Sequence, residues 1–337
     1  MDYSSKEKNY IVLLLAILIN LTYVAYTQRA PVLSQRLSIP GGVGPESFAF
    51  DGAGGGPYTG ISDGRIIRWN ATQNRWINFA VTTPYRLNCE GRHNHVITEA
   101  RCGRPLGLSF DRKTGQLYIA DAYKGLLVVG PAGGIATPVV AATTQARRTR
   151  TPLVFANDVA VDQRTGLVYF TETSMRFQRR DYSRIISTKD NTGRLMMFDP
   201  KTNALTVLAS GLMFPNGVAL SRDGDFVLVS ETTNARVLRY WPSSGGGMEV
   251  FAVLPGSPDN IRRNSKGEFW VAINSRGRDP NYSGLGMAAR LDQDGRILEV
   301  IQDRDGATWR YASQVSEVDG SLWVGSVVES ALVKLSL

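Results

Sequence analysis

The chain has 337 residues, of which 43% are hydrophobic and 20% charged, with 34 glycines, two cysteines and two histidines. That balance suits a turn-rich β protein with a sizeable core, and it excludes a disordered chain or a helical bundle. The net charge of +8 raises nucleic acid as a partner, but the basic clusters Arg147-Arg148-Thr149-Arg150 and Arg176-Phe177-Gln178-Arg179-Arg180 are short and stand beside no nucleic-acid module. Nucleic-acid binding is therefore not expected.

Met1 to Lys8 is polar with Lys6 and Lys8, and Ile11 to Ile19 is apolar, the layout of a secretory signal. The uncharged window continues to Gln28, enough for one bilayer crossing of about 20 residues. Residues 1–28 are thus read as a signal peptide or a signal anchor, and 29–337 as one domain. Either form sends the body into the secretory pathway, to the vacuole, the endoplasmic reticulum lumen or the exterior, with the anchor as the one membrane contact.

Gly41-Gly42-Val43-Gly44-Pro45 introduces a pattern of short apolar strand, polar turn and second strand. Its copies begin at Pro45, Pro105, Ala156, Pro215, Pro258 and Ala312. The turn-opening residues Asp51, Asp111, Asp162, Ser221 and Asn264 are roughly 40 to 60 residues apart, the period of a four-stranded blade repeated around an axis. No linker divides the array, so the expected fold is an all-β, six-bladed propeller, acting as a monomer. Two long inserts, Ala80 to Gly103 and Gln178 to Thr192, leave hairpins and are expected to form lids on one face, the first of them setting specificity.

Cys89 and Cys102 bracket a polar loop; in an exported chain a disulfide is the simplest reading, with two free thiols as the alternative. Asn70-Ala71-Thr72 and Asn281-Tyr282-Ser283 are glycosylation sequons at Asn70 and Asn281. His93 and His95 lie in the same loop, spaced like alternate positions on a strand, where a lid-borne proton shuttle and a solvated loop are both open.

Inner strands of a propeller run side by side along the axis, so equivalent positions form a ring at one mouth of the channel. Five residues before each turn-opening residue stand Glu46, Leu106, Asn157, Asn216 and Asp259, with Asn260 adjoining the last. Four of the five offer oxygen, and capping of turns is what such residues do singly. Repeated in four copies, two carboxylates and two or three amide oxygens suit a hard cation, Ca²⁺ first and Mg²⁺ second. Such an ion could activate a carbonyl or phosphoryl group of a small substrate, with Asp259 or a water as nucleophile or base and Glu46 beside it. No Gly-x-Ser-x-Gly elbow, Walker loop or His-Glu-x-x-His motif occurs.

The strings Cys102-Gly103-Arg104-Pro105-Leu106-Gly107-Leu108, Leu117 to Leu127, Val168 to Ser174 with Phe177-Gln178-Arg179-Arg180, and Phe214-Pro215-Asn216-Gly217-Val218-Ala219 resemble the plant strictosidine synthase-like family over nearly all of the chain after about Pro31. The resemblance implies a six-bladed propeller related to the calcium-dependent lactonases and organophosphatases of the paraoxonase and gluconolactonase group. It implies that Glu46, Asn157, Asn216 and Asp259 hold calcium, that Asn260 resembles an additional ligand of the paraoxonase branch, and that Cys89 and Cys102 pair as in strictosidine synthases. Strictosidine synthase itself condenses tryptamine with secologanin through a glutamate near the start of the last blade. Ser313 stands there, and Glu317 lies near the turn on the far side, so hydrolysis of esters or lactones is the expected activity, with a condensing enzyme of alkaloid biosynthesis, which Ser313 argues against, and a non-catalytic propeller scaffold as the alternatives. The paraoxonase histidine dyad is also unmatched.

Overall fold

The computed structural model describes residues 26–91, 93–141, 153–242, 245–274 and 285–337. The leader up to residue 25 and the sequon at Asn281 lie outside the described residues. Two strands precede the first blade: β1 (Thr27–Arg29) and β2 (Leu33–Ser38). The first blade is β3 (Phe48–Ala49), β4 (Tyr58–Gly60), β5 (Arg65–Asn70) and β6 (Arg75–Val81). After helix α1 (His95–Cys102) comes the second blade, β7 (Pro105–Phe110), β8 (Leu117–Asp121), β9 (Gly125–Val129) and β11 (Thr137–Ala141), while the short β10 (Gly134–Ile135) pairs in parallel with β6.

The third blade is β12 (Phe155–Val161), β13 (Val168–Ser174), β14 (Gly193–Asp199) and β15 (Ala204–Leu212), with helix α2 (Tyr182–Ser187) between β13 and β14. The fourth is β16 (Pro215–Leu220), β17 (Val227–Glu231), β18 (Arg236–Trp241) and β19 (Gly247–Val253). The fifth is β20 (Ser257–Arg263), β21 (Phe269–Asn274), β22 (Gly286–Leu291) and β23 (Ile297–Gln302), extended by β1, which pairs in parallel with β23. The sixth is β24 (Gln314–Val318), β25 (Ser321–Gly325) and β26 (Ala331–Ser336), completed by β2.

Six blades with β3, β7, β12, β16, β20 and β24 innermost form the propeller expected from the repeats. Its closure differs from the order of the copies in one respect. β2 pairs antiparallel with β26, Leu37 against Leu332, so residues before the first blade supply the outer strand of the last. Nothing local marks β2 for that place, since its partner is almost 300 residues away. β1 likewise begins at Thr27, within the stretch assigned to the leader.

The turns form as their residue types dictate. Asp51, Asp111, Asp162 and Asn264 each accept, through Oδ1, the backbone N–H two residues on, at 2.9 to 3.0 Å. These local bonds replace the strand ladder with a turn at each hairpin tip. Adjacent blades then bury aliphatic and aromatic side chains between them, as where Phe226, Phe251 and Phe269 pack across the fourth and fifth blades.

The two inserts take different places. The segment from Ala80 to Gly103 joins the first blade to the second rather than leaving a hairpin, and it carries α1. Asn94 caps that helix, its Oδ1 accepting from Val96 N at 3.2 Å, so the alternate-strand spacing read for His93 and His95 is replaced by a helix start with the two rings 4.1 Å apart. Cys89 and Cys102 are disulfide-bonded, with Cα atoms 5.6 Å apart, which ties the loop at Cys89 to the last residue of α1, just ahead of β7. Closing a loop with a sequence separation of 13 stabilises by about 3 kcal/mol through the unfolded chain. Reduction, or the double change Cys89→Ser with Cys102→Ser, is expected to lower unfolding stability by about that amount in denaturant titrations. Superimposable curves with and without reductant would show that the loop closure contributes nothing.

Candidate metal centre and its cavity

Glu46, Asn157, Asn216 and Asp259 all line one cavity of about 600 Å³ at a mouth of the channel. Leu106 occupies the equivalent place in the second blade, and Ala312 lines the cavity from the sixth. Glu46, Asn157 and Asn216 are each 5% exposed or less.

The inner strands approach closely enough to bring these residues together because glycines sit beside them. A Cβ on Gly217, next to Asn216, would come within 2.5 Å of the Asn260 Cα, and one on Gly107 within 2.5 Å of the Asp158 Cα. Any side chain at either point would push two blades apart.

A device in the second strands orients the asparagines. Asn157 Nδ2 donates to Thr173 Oγ1 at 2.8 Å, and Thr173 Oγ1 in turn donates to the Pro215 carbonyl of the next blade at 2.9 Å. One blade on, Asn216 Nδ2 donates to Thr232 Oγ1 at 3.3 Å, and Thr232 Oγ1 donates to the Pro258 carbonyl at 2.7 Å. A hydroxyl that gives its proton to a carbonyl can only accept from the amide, so each asparagine turns its NH₂ to threonine. Its oxygen is thereby left over: Asn157 Oδ1 and Asn216 Oδ1 are buried without a hydrogen-bond partner, as are Glu46 Oε2 and Asn260 Oδ1.

The residue before each threonine fixes the strand itself. Glu172 Oε1 accepts from Val154 N, and Glu231 Oε1 from Met213 N, both at 2.8 Å and both three residues ahead of a ring asparagine. Asp121 Oδ2 does the same for Arg104 N in the second blade, at 2.8 Å. Thr171-Glu172-Thr173 and Ser230-Glu231-Thr232 stand at equivalent places in the repeat, which is the signal by which these supporting residues could be read from sequence. Phe214, ahead of Pro215-Asn216, is held at φ +57, a left-handed backbone for a bulky residue at a cost on the order of 1–3 kcal/mol. Its carbonyl accepts from Thr232 N at 3.1 Å.

Buried oxygens left without donors are expensive, and several of them aimed into one space make a natural bed for a cation. The electrostatics agree. Among the described residues neither Glu46 nor Asp259 forms an ion pair, whereas neighbouring Asp158 is held by both Arg262 nitrogens at 2.6 and 2.7 Å and by Val218 N at 2.8 Å. Burial first, and Asp158 second, push the Glu46 carboxyl up to about 7 against the pull of Arg104, Arg262 and Arg179. Burial and then Glu46 raise Asp259 well above the carboxylate range, although Asn216 donates to it. Both shifts express negative charge that the chain does not neutralise.

Two carboxylates and two asparagine oxygens, all hard donors, fit Ca²⁺ better than Mg²⁺, which demands stricter octahedral geometry. Among the described residues no three His, Cys, Asp or Glu side chains converge as a metal cluster, so the donor set depends on the amides. Asn260 is fully buried behind the ring, its Nδ2 donating to Glu46 Oε1 at 3.2 Å.

The remaining residues singled out from the sequence do not line the cavity. Ser313 is 1% exposed, and its Oγ donates to the Glu46 backbone carbonyl at 2.7 Å. Glu317 lies at the opposite mouth, where its Oε2 accepts from Asn264 Nδ2 and Trp270 Nε1 at 2.8 and 3.0 Å. The wall from the sixth blade thus brings no carboxylate, only Tyr311, Ala312, Val327 and Val328. His93 and His95 lie on the α1 segment, His93 Nε2 hydrogen-bonded to Thr98 Oγ1 at 3.0 Å. Asn70 closes β5, its Oδ1 accepting from Gln73 N.

The other insert reaches the cavity. Arg179, Tyr182 and Ile186, from the segment between β13 and β14, form part of the wall, whereas no described residue from Ala80 to Gly103 does. The disulfide-fastened segment acts from behind: Glu99 of α1 holds Arg179 at 2.8 Å and meets the buried Arg104 at 3.6 Å.

Comparison with known proteins agrees with the fold and places the chain in a family. The family model described as strictosidine synthase matches residues 157–245, and that described as strictosidine synthase-like, N-terminal, matches residues 34–69. Protein STRICTOSIDINE SYNTHASE-LIKE 2 of Arabidopsis thaliana is 48% identical over 325 residues, covering 85% of this chain and 85% of that protein. Protein STRICTOSIDINE SYNTHASE-LIKE 10 of the same plant is 47% identical over 323 residues, covering 87% and 85%. Among solved structures, a gluconolactonase from Xanthomonas campestris superimposes with a TM-score of 0.64 at 15% identity over 92% of this chain and 95% of that one. A calcium-binding regucalcin from Agrobacterium tumefaciens does so with a TM-score of 0.60 at 18% identity over 93% and 96%. At such identities the structural likeness concerns the propeller alone, but the sequence relatives carry more: this chain belongs to the strictosidine synthase-like family.

Proposed function

We propose that this chain is a calcium-dependent hydrolase of ester or lactone bonds in a small, partly apolar substrate. The observation that carries the reading is the set of unpartnered oxygens, Glu46 Oε2, Asn157 Oδ1 and Asn216 Oδ1, contributed with Asp259 by four blades to one cavity. The gluconolactonase and regucalcin of like fold support it. Glu46, Asn157, Asn216 and Asp259 are the residues that would hold the ion, with Asn260 fixing Glu46 from behind. A cation bound there supplies polarisation of the substrate carbonyl and stabilises the charge that develops on its oxygen.

The chain's own residues do the rest. Asp259 serves as base, taking a proton from water as the hydroxyl adds to the carbonyl carbon and passing it to the leaving alkoxide oxygen as the ester C–O bond breaks. Leu106, Phe155 and Phe214 enclose the apolar body and exclude bulk water. The fully buried Ser313 and the distant Glu317 leave no acid where a condensing enzyme needs one. The protein works as a monomer in the secretory pathway, in the vacuole, endoplasmic reticulum lumen or outside the cell, a setting with which the Cys89–Cys102 disulfide agrees.

Two outcomes follow for the purified, calcium-loaded protein. Asn216→Ala and Asp259→Asn should each lower calcium affinity by about a hundredfold or more, and chelator-sensitive turnover of a lactone and aryl-ester panel should fall with it. Unchanged turnover in metal-free protein would refute the proposal. Proton competition gives the second. Because the folded Glu46 carboxyl sits near 7 instead of its ordinary 4.5, metal-free protein favours the neutral acid and loses stability as pH rises from about 4.5 through about 7. Calcium needs the carboxylate, so its affinity should drop about tenfold between pH 8 and pH 6 in calorimetric titrations. The Glu46→Gln variant should flatten that dependence, and a wild-type affinity independent of pH would contradict the assignment of Glu46.

A further inference from the structure

Among the described residues that line the ring cavity, Arg179 is the one cationic side chain. It starts the short turn Arg179–Asp181 that leads into α2, and its side chain is 17% exposed. Its Nη1 donates to both oxygens of Glu99, each at 2.8 Å. Glu99 is 2% exposed and is itself fixed by the Tyr123 hydroxyl at 3.2 Å and by Arg104 Nε at 3.6 Å. A single buried carboxylate is therefore shared between two guanidinium groups.

That arrangement leaves Arg179 with unused capacity. The described residues offer no hydrogen-bond partner to its Nε or Nη2, and they place no second carboxylate within ion-pair distance of it. A guanidinium anchored by one nitrogen in a buried network is oriented in advance, and its free nitrogens are matched to a planar, two-oxygen anion. The surroundings are apolar: Leu106, Phe155, Phe214, Ile186 and Val328 share the cavity wall. Beside such an apolar wall a charge-assisted bond counts for more than on the open surface.

We propose that Arg179 is a substrate-recognition residue that binds a carboxylate, so that the site takes an amphipathic ester or lactone with an apolar body and one carboxylate group. This deepens the hydrolase reading and rests on it for the reaction, though not for the binding. A singly charged carboxylate is favoured over a phosphate monoester because Arg179 is the one cation among the described lining residues, so a second negative charge would lie unpaired against the apolar wall. Glu99 is the positioning residue, acting only through Arg179.

The test compares two substrates on the full-length, calcium-loaded protein: the nitrophenyl ester of octanoic acid and the nitrophenyl hemi-ester of octanedioic acid. The wild type should prefer the hemi-ester, and Arg179→Gln should reduce the ratio of the two kcat/KM values by about tenfold to a hundredfold. Arg179→Lys keeps a charge beside Glu99 but lacks the fork, and should lie between them; it also answers the question if Arg179→Gln does not fold. A wild type that prefers the neutral ester, or a ratio that neither variant changes, overturns the proposal. If neither ester is turned over, the hydrolase reading fails by itself, and calorimetric titration with octanoate decides this one. Binding that weakens at least tenfold in Arg179→Gln supports it, whereas no binding in the wild type, or equal binding in the variant, overturns it.

Discussion

An ionised carboxylate taken out of water costs several kcal/mol unless a cation or donors replace its hydration. Glu46 and Asp259 are two such groups in one cavity, and the chain supplies neither of them with an ion pair among the described residues. Arg262, whose charge reaches both carboxylates, is committed to Asp158 through both terminal nitrogens. The inner strands thus converge on negative charge and lone pairs that no described residue of the chain satisfies. The site's architecture answers to that constraint: glycines let the strands approach, acidic residues of the second strands hold the inner-strand starts, and threonines aim the asparagine oxygens inward.

The same device couples fold to chemistry. Thr173 and Thr232 orient an amide in their own blade while bonding the proline carbonyl of the next, so seating one blade against another also points a ligand oxygen. The propeller cannot pack its third, fourth and fifth blades in register without assembling that part of the ring. Assembly of the ring is therefore a consequence of closure, and closure depends on β2, which joins a segment ahead of the first blade to the last blade.

Much of this was legible in the sequence, and what was missed shares one physical cause. Period, turn chemistry and the Glu, Asn or Asp five residues before four of the turns are local, and they located six blades and four cavity-lining ring residues. The threonine relays, the Asp158–Arg262 pair and the crossing of β2 to β26 join segments dozens to hundreds of residues apart. No window of sequence contains both partners. The inserts show the same limit: the disulfide marked Ala80 to Gly103 as the segment that shapes the cavity, yet the wall is built from Arg179, Tyr182 and Ile186. Glu99 explains why both inserts matter, because it reaches from one to the other.

The account stands or falls on where a cation sits. Crystals of the protein grown with calcium, measured at a wavelength where calcium scatters anomalously, would locate the ion directly. The account predicts one anomalous peak per chain, bounded by oxygens of Glu46, Asn157, Asn216 and Asp259. A cavity without a peak at saturating calcium, or a single peak elsewhere on the molecule, would contradict it.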